Sequence, residues 1–196
     1  IPKPIDSRLI STVAPAVAKA AMLSGVARHH IEDWDVYIEE LKKRLGMDDT
    51  VIRTLTNQAK SAPKRVVFAE ADNYKILKSA QIVKDEGIAI PVLLGNKEII
   101  NEIIKENLLE LQGVEVIDPT QETELSEKFA QFLFEKRQRR GITLYQAQKL
   151  IRDRNYFGAC MVQFGLADSL ISGLTRDYVT TIKPALQIIG TEKGIN

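Results

Sequence analysis

The sequence has a single cysteine, almost no net charge and no long apolar run. Cys160 alone cannot form an intrachain disulfide, and the scarcity of cysteine is typical of a reducing compartment. The 196 residues include 27 lysines and arginines against 26 acids, so the net charge of +1 gives no electrostatic reason to bind nucleic acid. No apolar segment approaches the roughly 20 residues of a membrane span, and no signal-peptide pattern opens the chain. We therefore expect a cytoplasmic protein that binds neither nucleic acid nor membrane.

The sequence also lacks the common motifs of nucleotide, metal and hydrolase sites. It has no P-loop, no dinucleotide-binding glycine fingerprint, no zinc spacing and no nucleophile elbow. His29 and His30 are adjacent, and neighbouring side chains point in different directions on a helix or strand, so a shared metal is not expected. Cys160 lies in an apolar run and is predicted to be a small core residue. These observations predict no catalytic residue and no metal ligand in the chain.

The first 60 residues are predicted to be helical. Pro15 is expected in the first turn of the first helix, Gly25 at its end and Asp48 at the N-cap of the third. A proline-containing boundary at 61–63 divides the chain into residues 1–60, a helical segment and linker, and residues 64–196, a second domain. The helices are predicted over 12–24, 33–45 and 48–60.

From Lys64 onward, strands alternate with helices. The separating segments hold ten or more helical residues, which predicts a mainly parallel sheet with helices on both faces, a three-layer α/β fold. Asn73 and Asn96 are candidate N-caps, and Thr143 with Gln146 forms a capping-box pattern. The strands are predicted over 65–69, 90–94, 114–117 and 169–171, and the helices over 74–86, 97–107, 121–140, 143–153, 157–164 and from 177.

The fourth predicted strand leads into a candidate anion site. It runs directly into Ser172-Gly173-Leu174-Thr175-Arg176, after which Asp177 and Thr180 open a helix. Free N–H groups at a helix N-terminus favour a phosphate or carboxylate, and ligands of open α/β sheets bind at this edge. The residues fit equally well an ordinary loop with a solvent-facing Arg176. The sequence leaves both interpretations open.

Two further sets of charged residues allow more than one interpretation. Glu70 and Asp72 follow the first strand and could act in acid–base chemistry, or could cap a helix or line a turn. A basic cluster could be a solvated face beside a helix C-terminus, or could bind nucleic acid or the phosphates of a ligand such as coenzyme A. The cluster consists of Lys136, Arg137, Arg139, Arg140, Arg152 and Arg154.

Longer stretches resemble two known families in a specific order. The run APKRVVFAEADNYKILKSAQIVKDEGIAIPVLLGNKEII resembles the first βαβ unit of phosphotransacetylases, and residues 155–190, with Ser172-Gly173 and Pro184-Ala185-Leu186-Gln187, resemble a later segment of that family. IPKPIDSRLISTVAPAVAKAAMLSGVAR and IEDWDVYIEEL resemble the end of the malic-enzyme part of large bacterial malic enzymes. In those proteins an NADP- and divalent-metal-dependent malic enzyme is fused to a phosphotransacetylase-like domain.

This resemblance implies a fragment of such a fusion. The chain would begin after the malic-enzyme catalytic residues and end within a truncated fold of the phosphotransacetylase and isocitrate dehydrogenase type. NADP and Mg²⁺ or Mn²⁺ would belong to the parent protein, with no cofactor in the fragment. Acetyl-CoA or acetyl phosphate would be the ligand and acetyl-CoA the effector. The resemblance assigns this ligand to Ser172, Gly173, Thr175, Arg176 and Lys183.

Three departures from the family pattern bear on activity. Asp177 and Tyr178 replace small residues, and Lys183 replaces an arginine whose planar fork would bind phosphate in bidentate fashion. The resemblance therefore implies an acetyl-CoA-sensing regulatory domain that partners the malic-enzyme domain of its own chain and forms a homo-oligomer. The alternatives are part of an active phosphate acetyltransferase and a purely structural module. We expect the isolated chain to be inactive.

Overall fold

The computed structural model describes residues 8–44, 50–192 and 194. The chain divides into two compact units, Ile1–Leu55 and Thr56–Asn196. The sequence-based division into residues 1–60 and 64–196 stays a prediction, and the proposed cap at Asp48 lies outside the described residues. None of the described helices is both long and apolar enough to cross a membrane.

The first unit contains helices α1 (Arg8–Leu23) and α2 (Trp34–Arg44), and α3 (Thr50–Ser61) begins in it. Helix α1 starts four residues earlier than predicted, because residues 8–11 contain no proline or glycine to stop it. The placement of Pro15 in the first turn was therefore wrong, and this proline lies inside the helix. The helix ends at Leu23, and Gly25, two residues later, has a left-handed φ of 73°.

The second unit is built on a four-stranded, fully parallel sheet in the order β3-β2-β1-β4. The central strand pairs on both sides: Val67 lies opposite Val92 of β2 and Leu170 of β4. This arrangement confirms the predicted α/β fold with a mainly parallel sheet. The strands are β1 (Lys64–Phe68), β2 (Ala89–Leu94), β3 (Glu115–Ile117) and β4 (Ser169–Ile171).

The predicted helix caps form as the sequence indicated. Asn73 and Asn96 accept hydrogen bonds from backbone N–H groups of the helices that follow them, and Thr143 and Gln146 form a complete capping box. The helix predicted over 121–140 is three residues shorter at each end: it begins at Glu124, and the last three predicted residues form a 3₁₀ turn before Gly141. The helices are α4 (Tyr74–Asp85), α5 (Lys97–Glu106), α6 (Glu124–Arg137), the 3₁₀ helix (Gln138–Arg140), α7 (Leu144–Ile151), α8 (Arg154–Gln163) and α9 (Tyr178–Ile188).

Two apolar cores form, one on each face of the sheet. Val67 packs in the core shared with α6, α7, α8 and α9, and its neighbour Phe68 packs with residues of α4 and α5. Successive residues of a strand point to opposite faces, so a strand buried on both sides must be apolar throughout. Helix α8 lies so close to the sheet that a Cβ at Gly158 would come within 2.7 Å of Leu170 Cδ1.

The strand order places a crevice between the carboxyl ends of β1 and β4. From β1 the chain adds β2 and β3 on one side, and then returns to place β4 on the other side. Between β1 and β4 the connecting segments run to opposite sides of the sheet, which opens a crevice at the carboxyl ends of these strands. Open α/β sheets bind ligands in such a crevice. Glu70 follows β1 and Ser172 follows β4, so both residues face the crevice.

Candidate functional site

The crevice between β1 and β4 is filled by the carboxylate of Glu70. This side chain is 1% exposed, and its two oxygens accept hydrogen bonds from three consecutive backbone N–H groups. Gly173 N lies 2.7 Å and Leu174 N 3.2 Å from Oε1, and Thr175 N lies 2.7 Å from Oε2. The predicted anion-binding loop therefore surrounds an anion that belongs to the chain itself.

A short chain of polar side chains supports the same carboxylate. Ser172 Oγ lies 3.0 Å from Glu70 Oε1 and 2.8 Å from Asn155 Oδ1. A hydroxyl has one proton and cannot donate to two acceptors at once. Within the described part of the chain, Asn155 Nδ2 is buried without a partner. With the amide turned over, Nδ2 donates to Ser172 Oγ and Ser172 donates to Glu70, and Asn155 Oδ1 becomes the buried atom without a partner among the described residues.

These contacts keep Glu70 ionised. Burial alone would raise the pKa of Glu70, but hydrogen bonds from Gly173, Thr175 and Ser172 outweigh it and lower the pKa from 4.5 to about 2. Such a carboxylate acts as an acceptor and does not exchange protons near neutral pH. Asp72, the other acid considered for acid–base chemistry, pairs with Arg154. Glu70 therefore holds a loop in place, a role that neither sequence interpretation included.

The Arg176 side chain forms an ion pair and is not merely a solvent-facing residue. Its Nη1 lies 2.5 Å from Asp153 Oδ2, and Asp153 also accepts from the backbone as the N-cap of α8. Asp177 accepts from Thr180 N at 3.0 Å, so the N-terminus of α9 is capped by its own carboxylate. Hydrogen bonds from the Thr180 hydroxyl and N–H hold the pKa of Asp177 below its usual range.

Lys183 lies apart from this loop, in a groove beside α9. The groove has a volume of about 600 Å³, and its lining includes the cations Arg140, Lys149 and Lys183 and the apolar side chains Ile142 and Leu150. We call it the basic groove. Among the residues that the structure describes, these three cations have no hydrogen-bond or ion-pair partner. An adjoining hollow of about 420 Å³ shares Arg140 and Lys183 with it.

The five predicted ligand-binding residues therefore separate into three places. Ser172, Gly173 and Thr175 surround Glu70, Arg176 pairs with Asp153, and Lys183 lies in the basic groove. Their assignment to acetyl-CoA or phosphate stays a prediction. Lys149 lines the groove but was not predicted, because nothing local in the sequence indicates that residues of α7 and α9 line the same groove.

Part of the basic cluster has a structural role. Lys136 Nζ donates to Ile188 O at 2.5 Å, and Arg137 donates to Gln187 O at 3.0 Å and Leu186 O at 2.9 Å. These two cations satisfy carbonyl groups at the C-terminus of α9, where positive charge is favourable. Arg140 is the member of the cluster that lines the basic groove.

Among the described residues, neither the cysteine nor a group of metal-ligating side chains forms a reactive site of its own kind. Cys160 is fully buried, and burial raises the pKa of its thiol to about 12, so its thiolate is not available near neutral pH. Across the described ranges, no group of three or more histidine, cysteine, aspartate or glutamate residues could hold a metal ion.

The chain is similar to proteins of two kinds. A family model described as phosphate acetyl/butaryl transferase matches residues 50–196. The NADP-dependent malic enzyme of Escherichia coli K12 is 38% identical over 200 residues, which cover 100% of this chain and 26% of the relative. The phosphate acetyltransferase of Helicobacter pylori J99 is 38% identical over 144 residues, which cover 74% of this chain and 28% of the relative.

Solved structures show the same similarity. A phosphotransacetylase from Streptococcus pyogenes superposes with a TM-score of 0.66 at 32% identity, covering 74% of this chain and 45% of that one. The EutD phosphotransacetylase from Staphylococcus aureus superposes with a TM-score of 0.65 at 30% identity, and the match covers 74% of this chain and 43% of that one. The chain spans about a quarter of the malic enzymes that it matches, 26% of the Escherichia coli protein.

Proposed function

Because the chain belongs to the phosphate acetyl/butaryl transferase family, we propose that it binds acetyl-CoA and thereby regulates a malic enzyme in the same polypeptide. The similarity to malic enzymes extends over the whole chain, including the residues before the family match, which supports the fusion. In this proposal NADP and Mg²⁺ or Mn²⁺ serve the malic-enzyme part. The protein is cytoplasmic and oligomeric, and the oligomer interface couples the two sites.

The observation that carries this proposal is the basic groove. Arg140, Lys149 and Lys183 place three cations around an apolar wall formed by Ile142 and Leu150. Acetyl-CoA combines phosphate groups with an adenine ring and an arm that carries methyl and methylene groups between its amides, so it contacts both charged and apolar surface. Because these cations are unpaired among the described residues, they can bind phosphate without first breaking an ion pair.

The state of the polar groups in the crevice between β1 and β4 favours acetyl-CoA binding without acetyl transfer. Glu70, with a pKa of about 2, is fixed as an acceptor, and the loop N–H groups that could stabilise a developing negative charge already bind it. Lys183 binds phosphate as a point charge and lacks the bidentate geometry of the arginine that family members carry there. These features support a sensor over an acetyltransferase.

Calorimetric titration of the chain with acetyl-CoA tests the binding step. Lys183→Gln and Arg140→Gln should each weaken binding by about 10-fold or more, because each removes a charge-assisted contact worth about 1.5–3 kcal/mol. Arg139→Gln is the matched control, since Arg139 is an exposed neighbour on the same 3₁₀ turn that does not line the groove. Absence of binding, or equal effects of all three variants, would contradict the proposed site.

The regulatory step is tested on the full-length polypeptide that contains this chain. Malate-dependent NADPH formation is measured with and without acetyl-CoA, and acetyl phosphate is assayed in the same samples. A change in NADPH formation that Lys183→Gln abolishes, with no acetyl phosphate, supports the sensor. Formation of acetyl phosphate supports the acetyltransferase instead, and the absence of both effects supports a structural module.

A further inference from the structure

Gln187 lies at the junction of the basic groove and the adjoining hollow. It lines both of them, as do Lys183 and Arg140. Lys183 and Gln187 are four residues apart on α9, which places them on the same face of the helix. A neutral amide therefore lies beside two cations at this junction.

The hydroxyl of Tyr156 fixes the side chain of Gln187. Tyr156 is 6% exposed and also lines the groove, and its Oη donates a hydrogen bond to Gln187 Oε1 at 2.7 Å. Burial and the charge of Asp153 raise the pKa of Tyr156 against the opposing charge of Arg137, so the hydroxyl keeps its proton at neutral pH. Arg137 Nε donates to Gln187 O at 3.0 Å. Both the backbone and the side chain of Gln187 are therefore held in place.

The same hydrogen bond leaves the amide nitrogen of Gln187 as a free donor. A glutamine amide has one acceptor oxygen and two N–H donors, and Tyr156 occupies the oxygen. The opposite amide orientation would leave the buried Tyr156 hydroxyl without an acceptor among the described residues. Within the same described ranges, Nε2 has no hydrogen-bond partner and is not one of the buried unpaired side-chain atoms. Because Gln187 is half-buried, Nε2 is accessible to a ligand in the space that the residue lines.

A fixed neutral donor beside cations suits an uncharged acceptor. Phosphate oxygens form stronger, charge-assisted hydrogen bonds with Arg140 and Lys183, so phosphate groups are drawn to the cations. A carbonyl oxygen or an aromatic ring nitrogen has no charge to pair and is left for the amide. Acetyl-CoA carries both kinds of acceptor, carbonyl groups on its arm and ring nitrogens on its adenine. Holding the amide in one orientation before binding also reduces the conformational entropy that binding costs.

We propose that Gln187 binds an uncharged acceptor of the ligand in the basic groove, and that Tyr156 is the positioning residue that orients the Gln187 amide. This inference rests on the proposed function, because it concerns the acetyl-CoA proposed for this groove. It adds a specificity-determining contact to a site whose cations recognise phosphate.

A double-mutant cycle tests whether Tyr156 acts through Gln187. Tyr156→Phe and Gln187→Met should each weaken calorimetric binding of acetyl-CoA by about 3- to 10-fold, the range expected for one hydrogen bond. The double variant should bind no more weakly than Gln187→Met alone, because Tyr156 has no amide left to orient. A merely structural role of Tyr156 would instead give independent losses that multiply in the double variant. Tyr145→Phe is the matched control and should leave the affinity unchanged, since Tyr145 is exposed and does not line the groove.

Smaller ligands test which acceptor Gln187 binds. Adenosine 3′,5′-bisphosphate keeps the adenine and two phosphates but lacks the arm, and inorganic pyrophosphate keeps phosphates only. Gln187→Met should leave the affinity for pyrophosphate, measured by competition with acetyl-CoA, unchanged. Weaker binding of the bisphosphate to this variant assigns the acceptor to the adenine, and unchanged binding assigns it to the arm. An equal loss for pyrophosphate, multiplied losses in the cycle, or unchanged acetyl-CoA binding by Gln187→Met would overturn the inference.

Lys183→Gln distinguishes failure of this inference from failure of the proposed function. If Lys183→Gln weakens acetyl-CoA binding but Gln187→Met and Tyr156→Phe do not, acetyl-CoA binds in the groove and only the role of Gln187 is wrong. If acetyl-CoA does not bind to the wild-type chain, the proposed function fails and this inference fails with it. If Tyr156→Phe does not fold, Gln187→Met with the three ligands still decides.

Discussion

At the scale of single residues, Glu70 joins two distant parts of the chain. It contacts the N–H groups of Gly173 and Thr175, which lie 103 and 105 residues further along the sequence. Hydrogen bonds to an ionised acceptor are roughly twice as strong as neutral ones. The loop between β4 and α9 is therefore held by a charge in the crevice and not by apolar packing alone.

We predict that Glu70→Gln lowers the free energy of unfolding by about 2–4 kcal/mol at pH 7. The amide keeps one acceptor oxygen but turns an NH₂ group toward loop N–H groups, which then lose their partner. Urea denaturation measures the change. Glu102→Gln on the exposed side of α5 is the control and should change the stability by no more than about 0.5 kcal/mol. A similar small effect at Glu70 would contradict the role assigned to its carboxylate.

The same variant should lose its effect at low pH. The pKa of Glu70 falls from 4.5 to about 2 on folding, so its contribution to stability is complete above pH 4.5 and is lost as the pH drops from 4.5 toward 2. In that interval the stability difference between the wild-type chain and Glu70→Gln should shrink by up to about 1.4 kcal/mol per pH unit. A difference that stays constant from pH 6 to pH 2.5 would show that ionisation of Glu70 is not responsible.

At the scale of secondary structure, local signals predicted most of the second unit. The strand predicted over 65–69 is observed at Lys64–Phe68, and the strand predicted over 169–171 is observed there. The apolar run Val66-Val67-Phe68 of β1 is buried toward its C-terminal end and stands out between polar residues, as is typical of a strand covered on both faces. Caps were also predictable, as at Asn96, because the cap and the N–H group that it binds lie within three residues.

Contacts between distant elements were not predictable from the same signals. The sequence shows Glu70 beside a strand end, but only the order β3-β2-β1-β4 places it against the loop after β4. Likewise, Arg137 belongs to a basic run in the sequence, and its contact with the C-terminus of α9 depends on how α6 packs. The sequence therefore predicted an anion at this loop, but it did not predict that the carboxylate of Glu70 lies there.

Helix α8 provides a test of packing between an element and the sheet. Replacing Gly158 by Ala would place a Cβ 2.7 Å from Leu170 Cδ1 and 3.3 Å from Leu94 Cδ1, so we predict a loss of about 1–3 kcal/mol in unfolding free energy. Leu170→Val removes the closest methyl group, and the double variant should therefore be less unstable than the sum of the two single changes. Denaturation of all three variants measures this coupling, and strict additivity would contradict the close approach.

At the scale of the whole molecule, the two units differ in how much apolar surface they bury. Residues 56–196 contain the cores on both faces of the sheet, with Phe129, Phe157 and Leu77 fully buried. In the first unit, Val17 is 61%, Leu23 91% and Val26 73% exposed. Burial of apolar surface is the main favourable contribution to folding, so the first unit should be the less stable part of this chain.

Hydrogen exchange can test this difference directly. In the chain by itself, amides of α1 should exchange on the order of 100-fold or more faster than those of β1 and β2, because opening α1 exposes little additional apolar surface. In the fusion polypeptide proposed above, α1 should become protected if the malic-enzyme part covers Val17 and Leu23, while β1 and β2 serve as the internal reference. Equal protection of α1 and β1 in the chain alone would show that the first unit is stable without a partner. Rapid exchange of α1 in both proteins would show that the malic-enzyme part does not cover this helix.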